Sequence, residues 1–444
     1  MKKLRYAFIL LAGLFFYSIL LAASVRNIYL SSDNGERRLG FMAKPLKFLA
    51  ETTTLIYKAV QPDEFLVENL DLVDGFTFYK EQVSSTYPKL LVGYKTAKFE
   101  SKFELLDMNT GDVLKQWSPD NKLLFEKAYN PLNPRRPPSK GSDLHFMHPL
   151  MTKDSSLMFT SQLTSLLAKI DKHGELKWLK NDKTYHHSLE MGDDNKIYSC
   201  TRPFQSGKYD FLPGSYEDYK NTLMDDHITI INSDTKEELF DKSVLEILVE
   251  NGYEDLVLYK GQVIGDPLHL NDIQPALYST EHWQKDDLLI SCRNISTVFL
   301  YRPETNKIIW LKHGPWYNQH DVDFHGQNQV VVFGNDVIRE ESKINGRITN
   351  TNLSFSNKRP HNQVYLYDLA KDSVTTPFHA LMKSEMPRTI TSGRCDILEN
   401  GDLFVEETNQ GRIFIGDSTS KKIDYVKRLD EKYISSLFWS RIVN

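Results

Sequence analysis

An internal repeat constrains this chain more than any other feature. The segments "TYHHSLEMGDDNKIYSC" (Thr184 to Cys200) and "YNQHDVDFHGQNQVVVFGND" (Tyr317 to Asp336) share one frame. His187 is followed at plus two, four and ten by Leu189, Met191 and Ile197, and His320 by Val322, Phe324 and Val330. An Asn stands at plus eight in both, Asn195 and Asn328. Extended backwards, "LMFTSQLTSLLAKIDKHGELKW" (Leu157 to Trp178) matches "LLISCRNISTVFLYRPETNKIIW" (Leu288 to Trp310) with one inserted residue. Each copy reads as strand, short link, strand, polar turn and a strand ending in Trp. Short apolar runs between Asn, Asp, Gly and Lys turns are the pattern of antiparallel strands. Weaker copies end at Trp117, start at Ile228 and Val364, and follow Leu398. Four-strand units repeated around an axis are β-propeller blades. Roughly 360 residues at about 60 per unit predict about six of them.

The repeat does not reach the N-terminus. Lys2, Lys3 and Arg5 precede the uncharged stretch "AFILLAGLFFYSILLAASV", 19 residues from Ala7 to Val25, enough for one membrane-spanning helix. A cleaved signal segment is the alternative, with Ala22 and Ser24 near its end, but the run exceeds the apolar core of about 7–15 residues usual for one. The expectation is therefore an all-β, six-bladed propeller preceded by one transmembrane helix. Residues 1–25 are the anchor or signal segment, 26–82 a stalk with one amphipathic stretch from Pro45 to Val60, and 83–444 the propeller. The basic residues ahead of the apolar run predict a single-pass protein of the cell membrane, with its body on the extracytoplasmic, periplasmic side.

Composition narrows the partners. A net charge of −5 and a pI near 6.2 supply no basic field for nucleic acid. The three cysteines, Cys200, Cys292 and Cys395, have no metal-ligand spacing and read as small buried hydrophobes. Nothing in the sequence sets an oligomeric state or calls for a cofactor.

In a propeller, strand ends from successive repeats meet at one mouth of the central channel. Five residues fall at such places: His187 and His320 at matching strand starts, Arg293 after a strand at the position of Gln162 in the earlier copy, and His269 and Asn271 in "DPLHLNDIQPA". His269 and Asn271, two apart, share one face if that segment is extended. In the last repeat the histidine position is Gly393. His186, His313 and His325 read as structural, and Asp272 and Asp321 as turn-fixing. Histidine offers a nitrogen nucleophile and an acid or base near neutral pH, and Arg a planar fork for a tetrahedral oxyanion. No acidic pair suits glycoside hydrolysis, and neither a phosphate loop nor a GxSxG elbow is present.

The segments "LHLNDIQP", "LLISCRNISTVFLY", "KIIWLKHGPWYNQHDVDF" and the HHS run resemble, in that order, the bacterial arylsulfate sulfotransferase family over roughly Leu144 to Asp417. Only an anchor and a stalk precede the propeller here, so the likeness is to a distant, membrane-anchored branch. It implies ping-pong transfer of a sulfuryl group from a phenolic sulfate ester to a phenolic acceptor, independent of phosphoadenosine phosphosulfate. It also implies that His320 is transiently sulfated, that Arg293, His269 and Asn271 bind the sulfuryl oxygens, and that His187 is the further catalytic histidine. Two alternatives keep the propeller: a His-ligated metal enzyme, and a non-catalytic tethered module that binds an anionic ligand or an envelope protein.

Overall fold

A computed structural model describes residues 13–25, 39–46, 48, 66–68, 72–79, 87–133 without 97 and 99, and 144–443 without 162–163, 259–260, 262–263 and 345–346. The chain divides into two compact units, residues 1–64 with 339–353, and 65–338 with 354–444. In the first, residues 13–25 are helical. The start of the apolar stretch, Ala7 to Ala12, and nearly all of the segment from Pro45 to Val60 lie outside the described residues. Among the described residues no helix is long and apolar enough to cross a membrane.

The second unit is a propeller of six antiparallel sheets. In chain order the innermost strands are Phe146–Met151, Thr184–Met191, Leu270–Pro275, Asp321–His325, Arg394–Ile397 and Arg441–Val443, which number the blades one to six. Blade three shows the plan, with Leu270–Pro275 followed outward by Leu288–Cys292, Thr297–Arg302 and Lys307–His313. Its second strand, LLISC, is buried throughout, and its outermost strand alternates between half-buried and exposed. β-Branched and aromatic residues suit such strands because both faces pack against neighbours.

The core lies between blades. Leu289 and Val298 of blade three pack with Val322, Val330 and Tyr365 of blade four, and Leu150, Met158 and Leu167 of blade one with Tyr185, Leu189 and Ile197 of blade two. Each such side chain, fully buried, contributes about 1.5–3 kcal/mol. Cys200, Cys292 and Cys395 are buried free thiols within these strands.

Blade six closes the circle. Its inner strand is the C-terminal Arg441–Val443, and its other three, Lys89–Lys95, Ser101–Asp107 and Val113–Trp117, come from early in the chain, with Arg441 opposite Leu91. Gly75–Phe78 adds a fifth strand to blade five, and Leu66–Glu68 pairs with Tyr433–Ser435. Two strands ahead of the expected boundary at residue 83 thus belong to the sheets of this unit. Between the second and third strands of blade four the chain runs through a two-stranded ribbon, Val337–Ile344 with Arg347–Phe355, of which residues 339–353 belong to the first unit.

A chain of side-chain bonds runs around the inner strands. Ser188 Oγ accepts from the Ile273 N–H (3.0 Å), Asp272 Oδ2 from Val322 (2.9 Å) and Asp321 Oδ2 from Cys395 (2.8 Å). Arg394 donates to Ser440 O (3.1 Å), and Arg441 to Pro149 O (2.8 Å) and Glu190 (2.8 Å). Blades two to six are joined in turn, and Arg441 carries the connection back to blades one and two. Asp272 and Asp321 hold neighbouring blades together, a larger task than fixing a turn.

Candidate active site

The site is built just ahead of these latching residues. One position before Pro149, Ser188, Asp272, Asp321, Arg394 and Ser440 stand His148, His187, Asn271, His320, Gly393 and Trp439. The backbone there is irregular. Strand register shifts between Met147 and Leu150, His186 and Leu189, and Leu270 and Asp272. His148 (φ 55°), His187 (φ 51°) and Trp439 (φ 67°) are left-handed at this position, and His269 (φ 55°) two residues before it in blade three. Such a conformation costs a non-glycine residue about 1–3 kcal/mol, and bulges with this geometry re-aim a side chain beside an active site. His187 consequently lies inside its strand and not at its start. His269 and Asn271 do not share one face of a regular extended run, since His269 is left-handed and the register slips at Asn271. At Gly393 (φ 88°) a Cβ would lie 2.5 Å from Thr389 Cγ2 and 2.7 Å from Phe333 Cε1. Sterics alone therefore keep a histidine out of blade five.

Three of the expected residues meet as rings. His187 lies 5.0 Å from His269 and 6.3 Å from His320 between centroids. Arg293 sits beside His269, its backbone N–H donating to His269 O (3.1 Å), in the turn Arg293–Ile295 that follows Leu288–Cys292. Gln162, with which it was paired by sequence, lies outside the described residues. Asn271 is fully buried, and its Nδ2 donates to Gln319 O (2.6 Å), next to His320.

His320 is the most defined of the set. It is buried, and its Nδ1 lies 2.7 Å from Asn335 Oδ1. The Asn335 amide has one orientation, because its Nδ2 donates to Thr389 O (3.1 Å) and Ser392 O (2.7 Å). The oxygen therefore faces the imidazole and accepts its Nδ1–H. The neutral ring then carries its lone pair on Nε2. Burial, and next the Arg293 guanidinium, push the His320 imidazole well below its ordinary range, so it is neutral at pH 7. Gln319 anchors the approach to it, donating from Nε2 to Ser291 Oγ (3.1 Å) and Thr297 O (3.0 Å) of blade three.

The other histidines are also held low. For His187 the causes are burial and then His269, His186, His320 and His148. For His269 burial lowers, the Asp266 carboxylate offsets it in part, and Arg293 adds to the lowering. Asp266 Oδ2 is 2.6 Å from His269 Nδ1. Beyond the histidines the inner strands carry Asp272, Asp321 and Asp323, all raised well above the carboxylate range by burial and by one another or by Glu190.

Three functional neighbours have no expectation attached to them in the sequence. His148 packs on Trp439 (4.6 Å) and faces His187 (6.4 Å). Its frame was there to be read, with Leu150 at plus two and Met158 at plus ten, but Ser156 stands at plus eight in place of Asn. Asn335 lies 15 residues past His320, and a neutral amide leaves no pattern. Asp266, three residues before His269, is the third. His186, read as structural, contacts His187 directly, Nδ1 to Nδ1 at 2.8 Å.

Among the described residues no group of three His, Cys, Asp or Glu side chains is placed to hold one metal ion. A cavity of about 590 Å3, lined by Tyr87, Asp396, Glu399 and Asn400 among others, contains none of the site residues. The arrangement in hand is a neutral His320 imidazole with its lone pair on Nε2, the rings of His187 and His269, and an Arg293 guanidinium close enough to act on both His269 and His320, a set whose chemistry suits an anionic, tetrahedral group.

A family model described as Arylsulfotransferase (ASST) matches residues 148–427. No curated protein sequence matches the chain. Among solved structures, a protein of unknown function from Bacteroides caccae aligns at 12% identity and a TM-score of 0.41, over 79% of this chain and 98% of that one. A catalytically inactive virginiamycin B lyase from Staphylococcus aureus with quinupristin aligns at 8% and 0.35, over 64% and 71%. The Cps50 (Swd1) β-propeller domain of Myceliophthora thermophila aligns at 10% and 0.38, over 79% and 88%.

Proposed function

The chain belongs to the arylsulfotransferase family, whose model spans more than half of it, and from that premise we propose that it moves a sulfuryl group between phenolic oxygens through a sulfohistidine at His320. The observation that carries this is the Asn335 bond, which leaves the lone pair of a neutral His320 on Nε2 in a site that also holds a guanidinium. Nε2 attacks sulfur in line with the aryl oxygen. The S–O bond breaks with its electron pair staying on the departing phenolate, and the S–N bond forms. Arg293 and His269 stabilise charge on the sulfuryl oxygens, the electrostatic term that dominates this kind of transfer. Asn271, through Gln319, holds the loop that leads into His320. His187 protonates the departing phenolate and takes the proton of the acceptor phenol, whose oxygen then attacks sulfur and returns the N–S electron pair to Nε2. The donor is a phenolic sulfate ester and the acceptor a phenol. No phosphoadenosine phosphosulfate is used. The apolar run at Ala7–Val25 supports a membrane tether with the propeller on the periplasmic side.

Mass spectrometry tests this directly. The purified protein is incubated with p-nitrophenyl sulfate and digested at alkaline pH, where a sulfated imidazole survives. A gain of one SO3 on His320, discharged by added phenol, is the expected result. Release of nitrophenol without an adduct, or an adduct on another residue, refutes the assignment.

A further inference from the structure

Behind His187 lies a second histidine that the mechanism above does not use. His186 is buried, with Nδ1 2.8 Å from His187 Nδ1 and Nε2 3.3 Å from Asp226 Oδ1. Asp226 is fully buried, ion-paired to Arg202 Nε, and its Oδ2 accepts from the Leu270 N–H (2.8 Å). Arg202 also reaches to 3.7 Å from Asp266 Oδ1, the carboxylate that holds His269. The proton positions follow from charge. Burial alone would raise Asp226, but Arg202 and then His186 hold it down at about 2, so it is a carboxylate. His186, lowered to about 4 chiefly by burial and Arg202, is neutral and has one N–H. That N–H sits on Nε2, facing the carboxylate, and leaves the Nδ1 lone pair to accept from the His187 Nδ1–H. The nitrogen of His187 left for a substrate is Nε2, with its lone pair.

We infer that His186, hydrogen-bonded to His187 and in charge contact with Asp226, fixes His187 as an Nε2 acid and base and shares the charge when it is protonated, with His186 a positioning residue for the proton transfer. The inference rests on the sulfuryl-transfer reading. The groups facing His187 are the rings of His148, His186, His269 and His320, with Arg293 and Arg202 behind them and Asp226 and Asp266 opposing. Without substrate these leave His187 neutral. A bound sulfate ester adds a negative charge beside it, which favours the protonated ring, and Nε2 takes that proton from solvent as the ester binds. In the first half-reaction the Nε2 proton passes to the phenolate as the S–O bond breaks. In the second, Nε2 takes the acceptor's proton as the N–S bond breaks. Each turnover returns His187 to its starting form, and no other reactant is consumed.

The test uses leaving groups of different basicity in the full-length protein. Nitrophenolate departs without much help, whereas phenolate needs an acid. His186→Leu, checked for wild-type unfolding behaviour, is expected to sulfate His320 at least about 100-fold more slowly with phenyl sulfate and within about tenfold of wild type with p-nitrophenyl sulfate. His186→Asn, whose amide oxygen stands near the place of Nδ1, recovers part of the loss. Equal losses on both donors overturn the inference. Should His186→Leu fail to fold, long-range 15N–1H spectra of 15N-histidine-labelled wild type decide instead. A proton on Nδ1 of His187 supports the inference, and one on Nε2 alone overturns it. A wild type that never forms sulfo-His320 refutes the functional reading, and the spectra still judge the hydrogen-bond order.

Discussion

Asn335→Ala removes the acceptor that holds His320 in its Nδ1–H form. In the variant the attacking Nδ1–H tautomer is left with a buried N–H and no partner, which disfavours it by about 1–3 kcal/mol. At 1.36 kcal/mol per factor of ten, that penalty lowers the population with a lone pair on Nε2 by about 5- to 150-fold. Ser392 O also loses its 2.7 Å donor, while Thr389 O keeps the Asn362 Nδ2 at 2.8 Å. The fold should weaken by about 2–4 kcal/mol, an amount that a propeller with this much buried apolar surface survives. The assay is rapid-quench formation of sulfo-His320 at saturating p-nitrophenyl sulfate, well below the melting temperature. The expected result is a fall of about 10- to 100-fold in the sulfation rate with little change in the donor concentration for half-saturation. A variant that melts earlier but sulfates at the wild-type rate would refute the idea that this amide sets the reactive nitrogen.

Two further outcomes concern stability. Gly393→Ala puts a Cβ within 2.7 Å of two side chains at a φ of 88°, and the loss should be about 2–5 kcal/mol by chemical denaturation; a loss under 1 kcal/mol would show that blade five has room for a side chain. His227 has a folded pKa raised from 6.5 to about 9, since Asp225 and Asp241 outweigh the opposing effect of burial. A raised folded value stabilises fully below pH 6.5 and is lost as pH rises through about 9. The size is of order 3 kcal/mol at 1.36 per pH unit. Melting temperatures of the wild type should fall between pH 7 and 10 while those of His227→Gln stay flatter; parallel curves would remove His227 as the cause.

The blades were legible because the side-chain period of a strand is short and repeats. Leu189, Met191 and Ile197 after His187, and Val322, Phe324 and Val330 after His320, mark inner and second strands of blades two and four. Blade six was harder, since its inner strand and outer three lie at opposite ends of the sequence. The same frame led to His187 and His320, the aligned strand end to Arg293 and the segment "DPLHLNDIQPA" to His269 and Asn271, while the family resemblance supplied their roles. What it did not carry is conformation. A left-handed histidine at a bulge has no sequence mark, so the i, i+2 face expected for His269 and Asn271 gives way to a slipped register. Nor does a pattern disclose which neutral or charged group stands behind a ring. Asn335 and Asp226 reach the site from just beyond the ends of other strands and are known only once the chain has folded.

The chain of bonds through Pro149, Ser188, Asp272, Asp321, Arg394 and Ser440 is one residue out of step with the channel-facing His148, His187, Asn271, His320, Gly393 and Trp439. Adjacent residues on a strand answer to different demands, one to the integrity of the ring and the other to whatever occupies its centre. A scaffold so divided can exchange its chemistry blade by blade without being taken apart. The six facing positions amount to a set of sockets, here filled with three histidines, an amide, an indole and, where no side chain fits, a glycine.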